Sequence, residues 1–498
     1  MNKRLLIANR SEIAIRIIRS AHKLGLTAVV LMSDKEPDAL YLKYADEIIE
    51  AKDAYDDKPI FLDAEKIVQL AIENNIDMIH PGYGFLSENP DFAALCETNG
   101  LNFIGPSPEL ILNMGIKTIA KKMAIEAGLP LLPGSKGAVA DAQQAIEIAK
   151  EIGYPVLLKA SAGGGGRGMR IVEKADTMER NFKSAFDEAV TAFGNGDLFI
   201  EKYLVNPKHL EFQILGDKFG NVIQLGEREC SLQRKHQKLM EEAPSASITP
   251  EKRAEMGEMA VKFAKSIGYF SVGTIEYILD EDGTYYFMEM NTCIQVEHPV
   301  TEMVTGIDLV DWQIRIAMGE KLTIKQSDVK TTGWAIECRV NTEDPQNRFS
   351  PQTGFIEKIR FPQNANVRIE TGVHNGSVVT PYFDSMIAKI IVQGATRQDA
   401  IDKTLEALND FSLVGLKTTV PFCKAVLQDP EFVSGRYTTS WVTRIFKPEM
   451  LEHPDDELIG ALAATIIYAT EYLQIASDAP ASRNESLNVW VLNKRINK

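Results

Sequence analysis

The segment Phe287–Pro299, FMEMNTCIQVEHP, constrains this chain more than any other stretch. As an extended strand it sends Glu289, Asn291, Cys293, Gln295 and Glu297 to one face, and Met290, Ile294 and Val296 to the other. The preceding run, SVGTIEYILDEDGTYYF, reads as two β-rich pieces around Asp282-Gly283, a pair that favours a two-residue type I′ turn. A turn centred there sets Glu276 opposite Glu289. Facing carboxylates repel unless a cation lies between them. Magnesium suits such a pair, because it takes one or two protein carboxylates and fills its other positions with water and substrate phosphate. Glu276, Glu289 and Asn291 are therefore the candidate metal and phosphate group.

A chain of 498 residues exceeds one hydrophobic core, so several domains are expected. The net charge of −15 argues against a general nucleic-acid or anionic-membrane surface. The five cysteines are scattered and never in short paired spacings, which fits reduced thiols in cytoplasm rather than zinc or disulfides. The amino terminus lacks the long apolar run of a signal peptide, and no uncharged run is long enough to span a bilayer.

Residues 3–9 read as a buried strand, Ser11 as the cap of a helix from Glu12, and Thr27–Met32 as a second strand, a β-α-β beginning. Asn89 and Pro90 mark the cap and first turn of another helix. Residues 1–112 thus read as a doubly wound α/β domain. A helix carrying Lys117 ends near Gly128. Two strand-like runs, YPVLLKA and MRIVEK, then flank the loop SAGGGGRG at 161–168. Its glycines, Gly164, Gly165, Gly166 and Gly168, let backbone N–H groups approach a phosphate, as a lid over about 131–204 would. The run ERECSLQRKHQK, Glu227–Lys238, concentrates positive charge and reads as a solvated face or, less well because no aromatics interleave, as a nucleic-acid patch. A boundary near residue 330 precedes a β-rich domain over 331–445. The tail, 446–498, contains a continuous apolar helix candidate, IGALAATIIYATEYL.

Together, HPGYGFLSENPDFA, KASAGGGGRGMR, EKYL, ERECSLQRKHQK and EMNTCIQVEHPVTE closely resemble the biotin carboxylase family of the ATP-grasp fold. The resemblance covers residues 1 to about 445. It implies an α/β and α+β multidomain chain: an amino-terminal α/β domain, an ATP-grasp core over 113–330 with a glycine-rich lid, and a mixed carboxy-terminal domain. The implied reaction is carboxylation of biotin by ATP and bicarbonate through carboxyphosphate, with magnesium or manganese. Lys117, Lys159, Glu201, Lys202, Leu204, His209, Gln233, His236 and Glu276 would contact ATP. Lys238, Gln295 and the backbone of Val296 would hold bicarbonate, Glu297 would be its base, Arg339 would stabilise the biotin enolate, and Tyr83 would lie near biotin.

The family pattern has arginine where this chain has Cys293, and glycine where it has Ser11. A neutral thiol supplies neither a cation nor a donor fork, so reduced bicarbonate use is expected. An impaired ATP-binding homologue with a structural role is the alternative; a ligase with an amine acceptor fits less well, because Lys238, Glu297 and Arg339 all occur. No M-K-M sequence offers a lysine for biotinylation. Biotin is therefore expected on a separate carrier protein. The further partner is a carboxyltransferase subunit, and the expected assembly is a homodimer. An acyl-CoA carboxylase and a two-subunit pyruvate carboxylase fit equally.

Overall fold

The computed structural model describes residues 3–51, 59–160, 169–193, 196–452 and 461–470. The apolar run RLLI forms β1 (Arg4–Ile7), joined in parallel by β2 (Thr27–Ser33), β3 (Glu47–Ala51), β4 (Met78–His80) and β5 (Asn102–Phe103), in the order β3-β2-β1-β4-β5. This is the expected doubly wound sheet. Alternation divides β1 and β2 between two cores: Leu5, Ile7, Ala28 and Val30 pack with the helix Ser11–Lys23, while Leu6, Val29 and Leu31 pack with Ile67 and Phe92. Burial on both faces is what a parallel sheet between helices requires. The Asn89 side chain caps the helix Pro90–Thr98 by accepting from Phe92 N, as expected.

Ser11 does not cap its helix. It is the first helical residue, at φ +58°, and Arg10 at the cap position makes no side-chain capping bond. The left-handed conformation explains why glycine suits this position.

The expected lid region contains β6 (Val156–Ala160), β7 (Met169–Val172) and β8 (Leu198–Lys202), an antiparallel sheet in the order β7-β6-β8. The helices Ala142–Ile152 and Met178–Phe193 cover it through Ala145, Ala149, Ala185 and Ala189. The glycine loop at 161–168 lies outside the described residues. Gly128, at φ +89°, terminates the helix Lys117–Ala127 as expected.

Apart from short strands paired two by two between residues 343 and 414, eight further strands build one antiparallel sheet. They are β9 (Lys208–Gly216), β10 (Val222–Arg234), β11 (Gln237–Ala243), β12 (Ser271–Leu279), β13 (Tyr285–Asn291), β14 (Trp334–Asn341), β15 (Val367–Thr371) and β16 (Met386–Gly394). Their order is β13-β12-β9-β10-β11-β14-β16-β15. The β11–β14 pairing carries the sheet without a break past residue 330.

Glu276 does lie opposite Glu289, but not through the expected turn. Only Gly283 has a positive φ, +83°, and Asp280 N bonds Thr284 O at 2.8 Å, so the loop is longer than a type I′ pair. An irregularity between Glu276 and Tyr277 restores the register. The two-residue turn with both φ positive is instead Lys235-His236, at +49° and +66°, joining β10 to β11. The strand also ends at Asn291, so the expected alternation does not continue to Glu297.

Residues 447–498 form a separate unit, within which 461–470 are helical.

Gly372, which follows β15, approaches Ser11 so closely that a Cβ built on it would lie 2.0 Å from Ser11 Oγ and 2.9 Å from Ser11 Cα. Gly372→Ala should therefore cost about 1–3 kcal/mol in urea unfolding. Combining it with Ser11→Gly should recover part of that loss, and strict additivity would show that the two positions do not share the strain.

Candidate active site

Three neighbouring strands set Glu211, Glu276 and Glu289 abreast, because Glu276 pairs in register with both of the others. The cations come from the other side. Arg228 on β10 lies opposite Glu211 and is fully buried. Its Nε donates to Glu211 Oε1 at 2.5 Å, Nη1 to Gln213 Oε1 at 2.7 Å and Thr301 Oγ1 at 2.9 Å, and Nη2 to Thr274 Oγ1 at 3.2 Å and Gln295 Oε1 at 2.9 Å. All five guanidinium donors are used.

Lys238 reaches inward from β11. Its ammonium lies 2.5 Å from Glu211 Oε2, 2.6 Å from Glu297 Oε1 and 3.1 Å from Glu276 Oε1. Burial opposes that charge, but Glu211 and Glu297 hold its pKa well above the usual lysine value. Arg339 on β14 donates to Glu241 Oε1 from Nε at 2.7 Å and to Glu297 Oε2 from Nη2 at 2.9 Å. Burial disfavours ionised Glu297, yet Lys238, Arg339 and Arg228 hold its carboxyl well below the usual range. Glu297 is thus an unprotonated carboxylate gripped by two cations.

Glu276 accepts from Asn291 Nδ2 at 2.8 Å and Gln295 Nε2 at 2.9 Å, and its Oε2 lies 3.0 Å from His209 Nε2. Burial opposes its ionisation, but Lys238 and His209 keep its pKa low. Glu289 differs: burial and the Glu276 charge raise its pKa, opposed by Lys117 and His209. This residual repulsion is the feature a divalent cation would relieve, and the Asn291 carbonyl is a suitable third oxygen. His209, Glu211 and Glu276 also bring ligand atoms together. Glu211 is already paired with both Arg228 and Lys238, each at 2.5 Å, whereas Lys238 stands farther from Glu276, at 3.1 Å, and Glu289 still bears the Glu276 repulsion; the residues that fit a metal are therefore Glu276, Glu289 and Asn291.

Among the residues expected around the nucleotide, Lys159 pairs with Glu201, as does Lys121 at 2.7 Å. Lys202 Nζ donates to Gly153 O and Tyr154 O at 3.0 and 3.2 Å, and Leu204 is buried. Gln233 faces Lys238 across the hairpin, whereas His236 is exposed at its tip. Gly164, Gly165, Gly166 and Gly168 lie outside the described residues. Tyr83 donates its hydroxyl to Glu12, which also pairs with Lys389 at 2.9 Å; Lys389 in turn donates to Val296 O at 2.7 Å.

Among the described residues the Cys293 thiol makes no hydrogen bond to Lys238, Gln295 or Glu297, although the Glu297 charge is near enough to add to its raised pKa. After β13 the chain turns, Thr292 N donates to Glu88 Oε1 at 2.6 Å, and the buried thiol faces Ser87 and Glu88. Burial and the Glu88 charge raise its pKa, so it is a neutral thiol. The basic run is a solvated face only at its turn, Lys235–Gln237: Arg228 is fully buried, Lys238 is mostly enclosed, and Arg234 stacks over Phe349 at 4.8 Å.

Comparison with known proteins agrees along the chain. The model of the biotin carboxylase N-terminal domain matches residues 1–111. That of the carbamoyl-phosphate synthase L chain ATP-binding domain matches 117–325, and that of the biotin carboxylase C-terminal domain matches 337–444. The chain belongs to the biotin carboxylase family.

Among relatives, the 2-oxoglutarate carboxylase small subunit of Hydrogenobacter thermophilus is 49% identical over 94% of this chain and 99% of its own length. Biotin carboxylase 1 of Bacillus subtilis is 47% identical over 89% of this chain and 98% of its own. A crystal structure of the Hydrogenobacter biotin carboxylase domain dimer with MgADP, ADP and bicarbonate has a TM-score of 0.83 at 50% identity, covering 91% of this chain and 99% of that one. Neither the fold nor these comparisons support the alternative of an impaired binding homologue.

Glu211, Gln213, Thr274, Thr301 and Glu241 escaped the sequence reading. The first two were detectable, because KHLEFQILG alternates His209, Glu211 and Gln213 with apolar residues. Arg228→Met should cost about 3–5 kcal/mol in urea unfolding, because it leaves Glu211 buried with one cation fewer. Adding Glu211→Gln should recover part of that loss. A double variant as unstable as the sum would refute the pairing.

Proposed function

We propose that this chain carboxylates biotin carried on a separate protein, consuming ATP and bicarbonate through carboxyphosphate. The observation that carries this reading is Glu297, an ionised carboxylate held between Lys238 and Arg339. Bicarbonate oxygens would recruit the same two cations, and as these turn from Glu297 its basicity rises, letting it take the bicarbonate proton. The oxygen so activated attacks the γ-phosphate, giving carboxyphosphate and ADP. Lys117 and Lys159 neutralise the nucleotide phosphates, with His209, Gln233, His236, Glu201, Lys202 and Leu204 around the rest of the nucleotide. Glu276, Glu289 and Asn291 hold magnesium, which when bound neutralises phosphate charge.

Carboxyphosphate then yields carbon dioxide and phosphate, and the phosphate removes the ureido proton of biotin. Arg339 stabilises the resulting enolate by a charge-assisted hydrogen bond. Gln295 and the backbone of Val296 complete the bicarbonate site, and Tyr83 borders biotin. The functional regions are 1–112, 113–330 with a lid about 131–204, and 331–445, followed by the 446–498 tail. The partners are a biotin carrier protein and a carboxyltransferase, the assembly is a homodimer, and the compartment is the cytoplasm. No helix among the described residues is long and apolar enough to cross a membrane.

ADP release should require bicarbonate and rise with free biotin; release indifferent to both would overturn the proposal. Glu276→Gln and Glu289→Gln should each weaken magnesium-nucleotide binding while the fold survives, and unchanged magnesium dependence in both would remove the metal assignment. At Cys293, an arginine would find Glu88 as a waiting counter-ion. Cys293→Arg should raise bicarbonate-dependent ATP cleavage about tenfold or more, with less effect on nucleotide affinity. A slower variant would show that the thiol belongs to a differently built bicarbonate site.

A further inference from the structure

Behind Arg339 lie two carboxyl groups that the reaction scheme does not use. Glu241 on β11 and Glu337 on β14 are in direct register, so their side chains share one face of the sheet. Both are buried. Glu337 precedes Arg339 by two residues on the same strand and so faces the same way.

Glu241 uses one oxygen for Arg339: Oε1 lies 2.7 Å from Nε and 2.5 Å from Nη2. Nη2 also donates to Glu297 Oε2 at 2.9 Å. Among the described residues Nη1 makes no hydrogen bond, so the two carboxylates fix the guanidinium plane and leave one edge for a ligand.

Glu241 Oε2 and both oxygens of Glu337 are buried without a hydrogen-bond partner among the described residues. On the far side of this pair lies the apolar cluster of Ala243, Val300, Val304, Ala335 and Ile391. The neighbouring cation, Lys389, is committed to Glu12 and to Val296 O. A buried carboxyl in this setting takes up a proton rather than bearing an unpaired charge. Burial, with Glu241 adding to it, accordingly pushes Glu337 well above the usual range.

We propose that Glu241 is a positioning residue: its carboxylate clamps Nε and Nη2 of Arg339 so that Nη1 is left to donate to the ureido oxygen of biotin, while Glu337 faces it as a neutral carboxyl. This rests on the reading of Arg339 as the group that stabilises the biotin enolate.

The groups around Glu241 are Arg339 and Glu337 on β14, Glu297 before the helix His298–Thr305, Lys238 on its own strand and Cys230 on β10. Burial raises its pKa, Arg339 opposes this and Glu297 adds to it, giving about 7. The clamp is therefore charged above that pH and is lost as pH falls through it. The biotin-dependent rate should fall on the acid side of about pH 7.

The test uses the full chain with magnesium-ATP, bicarbonate and free biotin. Glu241→Gln should lower kcat for biotin-dependent ADP release about ten- to a hundredfold. Bicarbonate-dependent ATP cleavage without biotin should change far less, and the acid limb should vanish. Glu241→Asp keeps the charge but shortens the reach, and should lower the same kcat while retaining an acid limb. Biotin-dependent rates in either variant within about twofold of the parent would overturn the clamp. Arg339→Gln separates the underlying reading: if biotin-dependent turnover survives it, the assignment of Arg339 falls and the clamp falls with it. If Arg339→Gln abolishes turnover while the Glu241 variants are normal, only the clamp falls.

Discussion

Arg228 is the interaction on which the site depends. It has no exposure to solvent, yet its guanidinium joins β9, β12, the segment after β13 and the helix His298–Thr305 through five donors. Lysine could not replace it, since a point charge cannot span acceptors arranged around a planar fork. The desolvation of such a charge is severe, and only complete pairing makes it tolerable. That completeness confines Gln295, and through it the short path from Asn291 to Glu297.

Around this fixed cation the remaining charges are arranged unevenly. Glu297 is in contact with two cations, Glu276 has Lys238 and His209, Glu289 has Lys117 and His209 too weakly to offset burial and the Glu276 charge, and Glu337 has no charged hydrogen-bond partner among the described residues. The well-paired carboxylates sit where a ligand would exchange places with their cations. The poorly paired one at Glu289 marks where positive charge is missing, and the one at Glu337 where a proton is kept.

Much of this was readable in advance, for reasons that differ from residue to residue. The doubly wound sheet follows from apolar alternation in residues 3–9 and 27–32, and the Glu276–Glu289 pairing from turn chemistry and strand spacing. Yet that pairing was reached through the wrong turn, because a bulge between Glu276 and Tyr277 is invisible in side-chain patterning. Cys293 was placed on the polar face because strict alternation assumes a strand that in fact stops at Asn291. Arg228 was hidden in a charged run, where composition suggests solvent; only the register of β9 against β10 shows that it is interior. Glu241 and Glu337 could not be found at all, because their pairing joins strands about a hundred residues apart in sequence.

The unbroken sheet has a mechanical consequence. Glu289 stands on one edge strand, Lys238 near the middle and Arg339 on the strand beyond, all tied by one hydrogen-bonded ladder. Strand spacing in such a ladder is set by peptide geometry, at roughly 4.8 Å per step. The span between the Glu289 end and the Arg339 end is therefore a constant of the backbone, as marks are on a ruler. An unstable intermediate released at one end would always face the same short journey to the other, whatever the surrounding loops are doing.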